Sequence, residues 1–317
     1  NDYYTNITDN ESAVLSGGVT TQYRSGNHNL SFGFSANMNE NVNYVKNLGT
    51  ETTAGKGEWQ FTLAPDLDYS YSKDSFSTNV YYFGSTQQPS NSQMSPTLNL
   101  GNPTMISAGN IYLKQYMYHY LGEYFRHNNR KNFSYVNARF SGNMEQNAIV
   151  QASWFDRNAI RYSVPVNSRK PSYRLSGTLT YNQPFGEKRY WTFSTYADVS
   201  YSASAGYQAK EELDGMDIEE FDYNDFMSEF WGNSSGDRFY SGDSGFSESK
   251  MTTLHYALDL GLKYQRDRFN ASVHAYGRNQ ISKYSLDPDA NADTWMHSYS
   301  FDAMYTTLKN WEFSTKI

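Results

Sequence analysis

Between Asp214 and Trp231 the chain sets carboxylates and rings side by side. Asp214, Asp217, Glu219, Glu220, Asp222, Asp225 and Glu229 are interleaved with Phe221, Tyr223, Phe226, Phe230 and Trp231. Carboxylates at this density suit Ca²⁺, a hard cation that takes several oxygen ligands. Asp217, Asp222 and Asp225 are the candidate ligands, although their spacing is not that of an EF-hand loop. The rings suit a glycan, a peptide or a surface lipoprotein, and Tyr223, Phe226, Phe230 and Trp231 are the candidate contacts. A second kind of chemistry would come from histidine beside carboxylate, the pairing that general-base catalysis uses. His255 and His274 stand near Asp259 and Lys263 in sequence pattern. No nucleophile motif accompanies them, so no catalytic residue is assigned and the chain reads as a non-enzyme.

The elements that must position these groups are strands. Leu254, Tyr256, Leu258, Leu260, Leu262 and Tyr264 share one parity, and His255, Ala257, Asp259, Gly261, Lys263 and Gln265 share the other. That is a strand with one apolar and one polar face. Trp59 to Tyr71 repeats the pattern, with Pro65 predicting a local break or bulge because it cannot donate to a ladder. The segment from Asn132 to Phe155 reads as one long strand or two joined near Asn143. It folds back near Asp156 in a hairpin that projects beyond a membrane.

Short polar turns alternate with long polar loops. The turns are Ser25–His28, Lys73–Ser75, Asn128–Lys131, Gly186–Arg189, Arg266–Arg268 and Lys309–Asn310. The loops include Asn47–Gly57, Gly84–Asn110 and Gln208–Lys250. This rhythm predicts an all-β fold: a transmembrane antiparallel meander β-barrel with about twelve strands in this chain. The whole chain, residues 1–317, is then one outer-membrane barrel domain. Turns face the periplasm and loops the exterior. Asp66, Asp68, Arg139, Asp259 and Lys263 fall on lumen-facing parities. Rings crowd the turn side, among them Tyr69, Tyr71, Tyr124, Phe125, Tyr190, Trp191, Tyr264 and Phe269, as in the aromatic girdle of a membrane barrel.

Composition agrees. Of 317 residues 29 are Tyr and 19 are Phe, and no stretch matches a membrane helix. With no Cys, disulfides and thiol chemistry are excluded. The net charge of −7, with no basic stripe visible in the sequence, argues against a nucleic-acid partner.

One stretch resembles a known family. Ala64-Pro65, Gln88-Pro89-Ser90, Gln93-Met94-Ser95-Pro96 and Gly101-Asn102-Pro103 follow one another in the order found in the barrel domain of Bacteroidetes TonB-dependent receptors, the outer membrane protein beta-barrel group related to SusC-like transporters. The stretch from Arg130 to Tyr207, with Asn147-Ala148-Ile149 and Val166-Asn167, resembles the next two hairpins. After Gly-Asn-Pro the chain carries Thr104-Met105-Ile106-Ser107 where relatives carry Leu-x-Pro. The resemblance implies a plugged barrel of about 22 strands, of which this chain is an internal or C-terminal-side piece without the plug. It implies TonB-dependent uptake of a glycan, peptide or metal chelate across the bacterial outer membrane. The implied partners are outer-membrane lipid, the TonB complex through an N-terminal part, and a surface lipoprotein. No cofactor is implied beyond Ca²⁺ at the acidic loop. The alternative is a passive porin-like channel or surface-binding barrel.

Overall fold

The computed structural model describes residues 7–47, 50–54, 59–209, 211–216, 218 and 220–317. In chain order the first elements are β1 (Ile7–Ser25), β2 (His28–Asn47), β3 (Thr50–Ala54), β4 (Gln60–Lys73), β5 (Phe76–Gln87) and α1 (Asn91–Met94). Then come β6 (Leu98–Asn102), β7 (Met105–Ala108), β8 (Tyr116–Asn129), β9 (Ser134–Gln146), β10 (Ile149–Phe155) and β11 (Arg161–Asn167). The rest are β12 (Ser172–Phe185), β13 (Trp191–Ala209), α2 (Tyr223–Phe230), α3 (Asp237–Ser241), β14 (Phe246–Arg266), β15 (Phe269–Tyr284), β16 (Ala292–Thr306) and β17 (Glu312–Lys316).

Twelve of these strands form the expected antiparallel meander, β1-β2-β4-β5-β8-β9-β12-β13-β14-β15-β16-β17. Among the described residues β1 and β17 do not pair with each other. The register shows how the alternation sorts itself. Directly opposite one another lie Ser31, Asp68, Tyr81, Gly122, Ser141, Ser176, Ser200, His255, Gln280 and Thr294, one residue per strand from β2 to β16. One residue along, the row reads Phe32, Leu67, Tyr82, Leu121, Gly142, Leu175, Tyr201, Leu254 and Ile281. A period of two in every strand, kept in phase across the ladder, yields one polar and one apolar face.

The apolar face is the exposed one. Phe61, Leu175, Val199, Leu258, Leu260 and Val273 are all solvent-accessible, whereas Ala257 and Gly261 on the opposite parity are buried. A water-soluble sheet would cover its apolar face instead.

Several local expectations are revised. Pro65 does not break β4, which runs on through it opposite Phe34. The β4–β5 ladder stops at Asp66–Phe83, so the missing N–H falls where no partner strand needs it. The break after β9 lies at Asn147, not Asn143. Asn147 takes a φ of 61°, a left-handed conformation that asparagine tolerates. Beyond it, the β10–β11 hairpin does not extend the wall straight outward. It folds sideways, pairing in parallel with the upper end of β13 through Ala152–Tyr207 and Ser153–Gln208, and with β7 through Arg161–Met105. The strand after the Gly84–Asn110 loop begins at Tyr116 rather than Ile111. Its Tyr118, Tyr120 and Tyr124 lie on the polar face, while Met117, Leu121 and Phe125 lie on the apolar one. Tyr124 therefore leaves the predicted girdle.

Candidate functional site

The long loops are not irregular. Three of them, residues 88–115, 147–171 and 210–245, fuse into one cap at the rim opposite the short turns. Its core joins Ile106 of β7, Ala152 and Trp154 of β10, Tyr162, Val164 and Val166 of β11, Met216, then Tyr223, Met227, Phe230, Trp231 and Phe239 from the α2–α3 segment, and Phe246 at the start of β14. α2 forms because Asp222 caps it, accepting from the backbone N–H groups of Asn224 (2.8 Å) and Asp225 (3.0 Å). Its Tyr223, Met227 and Phe230 then share a face at helical spacing and enter the core.

Polar side chains stitch the three loops through their backbones. The Tyr223 hydroxyl accepts from the Ile111 N–H (3.1 Å) and donates to the Gly109 carbonyl (3.3 Å). Burial pushes this phenol above its ordinary value, and the Ile111 N–H offsets part of the rise. Asn110 donates to the Pro165 carbonyl, and the Tyr240 hydroxyl donates to the Asn167 carbonyl at 2.6 Å. Burial, then the Tyr207 phenol nearby, raises Tyr240 as well. The Asn167 side chain accepts from the Lys114 N–H and donates to the Lys114 and Asn147 carbonyls. The Trp154 indole donates to the Asp214 carbonyl.

The family-like residues are joints in this cap. Ser90 and Gln93 make a reciprocal capping box on α1, and Asn102 closes the β6–β7 turn by accepting from the Thr104 N–H and hydroxyl. Gly109 runs so close to the Ser95 backbone that a Cβ there would collide with it.

A groove of about 450 Å³ opens on the cap between α2, α3 and β10. Trp154, Phe226, Phe230 and Phe246 line it, with Asp214, Glu229, Arg238, Asp243 and Ser244 as its polar groups. Phe226, Glu229 and Phe230 reach it together because positions i, i+3 and i+4 share a helix face. Phe226 stacks on Phe230 at 5.5 Å and 13° and remains partly exposed. Glu229 and Arg238 are exposed, and no ion pair joins them among the described residues.

Of the four rings expected to meet a ligand, the structure therefore seats Tyr223, Phe230 and Trp231 in the core and leaves Phe226 with the freest surface. Sequence spacing alone does not separate a core ring from a groove ring. For calcium, Asp222 is occupied as the α2 cap, Asp225 is exposed in its first turn, and Asp217 lies outside the described residues. Among the described residues no three acidic or imidazole groups converge on a metal position.

The second set of groups lines the polar face of the wall. Asp66 lies across Gly33, whose missing Cβ makes room for its carboxylate. Asp68 accepts from the Asn79 amide at 3.3 Å. Arg139 lies over the Tyr124 ring at 5.8 Å. Asp259 faces His274 at 3.4 Å, and Lys263 borders a groove with Ser272 and Asp302. His255 pairs with Asp198 at 3.2 Å, not with Asp259. Each imidazole thus reaches back to a carboxylate on the preceding strand, and neither is hydrogen-bonded to a hydroxyl nucleophile among the described residues. All these residues sit on the face opposite Leu258 and Leu260. The register that puts Arg139 opposite Thr178, and Thr178 opposite Asp198, requires this.

No protein-family model matches the chain, and no curated protein matches it. Solved structures do. The chain is similar to the siderophore receptor PirA from Pseudomonas aeruginosa, at 13% identity and a TM-score of 0.42, over 98% of this chain and 51% of that one. It is similar to the open form of the ferric-catecholate import receptor Fiu from E. coli K12, at 10% identity and a TM-score of 0.43, over 95% and 52%. The copper transporter OprC matches at 11% identity and a TM-score of 0.29, over 96% and 52%. The chain spans about half the length of these receptors, and the likeness is one of fold alone.

Proposed function

We propose that this chain is the wall and outer cap of a bacterial outer-membrane uptake receptor of the TonB-dependent kind. One observation carries the reading: a twelve-strand meander whose apolar face is exposed and whose polar face is sheltered, with short turns at one rim and a folded cap at the other. Lipid is the solvent that makes an exposed Leu258–Leu260 face stable, and an aqueous lumen suits the Asp–His pairs behind it. The cap places a groove of receptor dimensions where an external solute arrives first. There the Phe226 face offers stacking, while Glu229, Asp243 and Arg238 offer hydrogen bonds to a polar nutrient.

The finer reading, a SusC-like receptor with a plug energised through TonB, is supported by the ordered residues from Gln88 to Pro103. These form α1 and the β6–β7 turn of the cap. A glycan, a peptide or a metal chelate remains the class of cargo on this reading.

The absence of cysteine allows a direct test. Single cysteines at Leu258, Leu260 and Val199, and at Asp259, Ser200 and Thr178, are spin-labelled in outer-membrane preparations. The first set is expected to be accessible to oxygen dissolved in lipid, the second to a water-soluble nickel reagent. Equal accessibility of the two sets to the nickel reagent would overturn the membrane reading. For the capture groove, Phe226→Ala is expected to raise the concentration needed for half-maximal uptake, leaving the amount of receptor in the membrane unchanged.

A further inference from the structure

Charge is divided between the two rims. Residues 210–245 in the cap carry eleven acidic and two basic side chains. The six short connections with their flanking residues (24–29, 72–77, 126–134, 185–191, 265–270 and 306–312) carry ten basic and four acidic ones. A chain with a net charge of −7 thus has a cationic edge.

The cations are concentrated. Three consecutive turns, β8–β9, β12–β13 and β14–β15, bring together Arg130, Lys131, Lys188, Arg189, Arg266 and Arg268, all exposed. Asp267, in the same turn as Arg266, ion-pairs with it at 3.5 Å. Two of these guanidinium groups rest on rings of the belt. Arg189 lies 4.3 Å over Phe133, and Arg266 lies 5.4 Å over Tyr190. Arg189 also donates to the Lys131 carbonyl at 2.9 Å, tying two turns together. Just above them Trp191 packs on Tyr264 at 4.8 Å, and Tyr264 on Phe269 at 6.1 Å.

Aromatic rings of this kind settle at the depth of lipid headgroups. A planar guanidinium fixed at that depth presents paired donors to a phosphate. Stacking on a ring holds the guanidinium in place at little further entropic cost.

We propose that this rim is a binding surface for anionic phospholipid of the periplasmic leaflet, with the phosphate between the Lys131–Arg189 turn pair and Arg266, and the acyl chains against Trp191, Tyr264 and Leu262. The proposal rests on the membrane reading and adds to it a preference among lipids. It also gives the protein a fixed polarity in the bilayer: the cationic belt holds its rim at phospholipid headgroups, while the acidic cap stays in water.

The test uses the purified full-length protein in phosphatidylcholine vesicles with and without phosphatidylglycerol. Brominated forms of each lipid, as quenchers of tryptophan fluorescence, report which lipid occupies the belt. Brominated phosphatidylglycerol is expected to quench well beyond its share of the bilayer. Arg189→Gln, Arg266→Gln and Lys131→Gln should each lower that preference, by roughly fivefold per cation lost. Lys170→Gln and Lys250→Gln, on the cap side, should not. High salt should collapse the wild-type preference and so serves where a variant fails to fold. At matched ionic strength, inorganic phosphate should lower the preference no more than sodium chloride does, since a free ion brings no chains to the belt. Equal quenching by the two brominated lipids in wild type, or a preference that survives both the substitutions and salt, overturns the proposal while leaving insertion intact. Failure to insert into either vesicle would overturn the membrane reading itself.

Discussion

The wall and the cap are built from the same side chains and dispose of them in opposite ways. In the wall, Phe61 is 63% exposed, Val199 49% and Leu258 45%. In the cap, Val164 is fully buried, Trp231 is 2% exposed and Trp154 is 4%. Among the described residues the core cluster lies in the cap, and the wall relies on a continuous ladder of backbone hydrogen bonds. The cap has a core and uses side chains such as Asn110, Asn167 and Tyr223 to close its backbone bonds. The difference teaches that burial is relative to a solvent. The cap is folded by water, whereas the wall is folded by pairing in a medium that offers no competing hydrogen bonds.

The comparison can be broken first in the cap. Trp231→Ala empties a large core position and is expected to cost about 3–5 kcal/mol of cap stability. Limited proteolysis should then cut residues 210–245, while the wall keeps its resistance to heat in detergent. If wall and cap fail together, they are one cooperative unit and the division is wrong.

Next is the wall. Leu258→Arg should destabilise insertion by about 2–4 kcal/mol, and Asp259→Arg, one residue along, should cost far less. Urea titrations in lipid vesicles give both values. Equal costs would mean that the two faces do not see different solvents.

Asn167→Ala is smaller in scale. It strips bonds from the backbones of Lys114 and Asn147 and should cost about 1–3 kcal/mol. The loss should appear in hydrogen exchange at residues 110–115 and not in β14 or β15.

The smallest effect concerns pH. Tyr223 is buried and Tyr240 half-buried, both as neutral phenols, and burial raises both. A raised value means that the opened cap ionises first. Closure is therefore fully stable below the ordinary tyrosine value of about 10 and weakens as pH climbs from there toward the raised values. Tyr240→Phe should blunt the alkaline loss, measured as the pH dependence of cap proteolysis, and at neutral pH should cost only the one lost hydrogen bond, about 0.5–1.5 kcal/mol.

The wall was legible because its signal is local. Leu254 to Gln265 announces two faces without reference to any other strand, and a polar turn announces each reversal. The cap was hidden for the converse reason. Ile106, Trp154, Val164 and Phe239 come from three separate loops with no common period. Tyr162, Val164 and Val166 alternate as a wall strand does, so the pattern carries their hairpin straight on beyond the membrane and gives no sign that it folds sideways into a core. Only the length of the hairpin, greater than a membrane span needs, marks a departure. In the acidic loop the rings stand close together in sequence, but spacing does not say which of them are core. Whether a ring faces inward or outward is set by α2, and by the Asp222 cap that starts it, not by the rings themselves.

The two asparagines that bound the β10–β11 excursion carry one more consequence. Asn147 turns the chain out of the wall, Asn167 turns it back, and the amide of the second holds the carbonyl of the first at 2.9 Å. Immediately below them Glu145 already pairs with Ser172. Such a neck uncouples what lies beyond it from the register beneath. Sequence can be lengthened, shortened or exchanged above the clasp with no shift in which residues face lipid. In an evolving lineage, then, new recognition surfaces can be tried on an unchanged membrane frame, one excursion at a time.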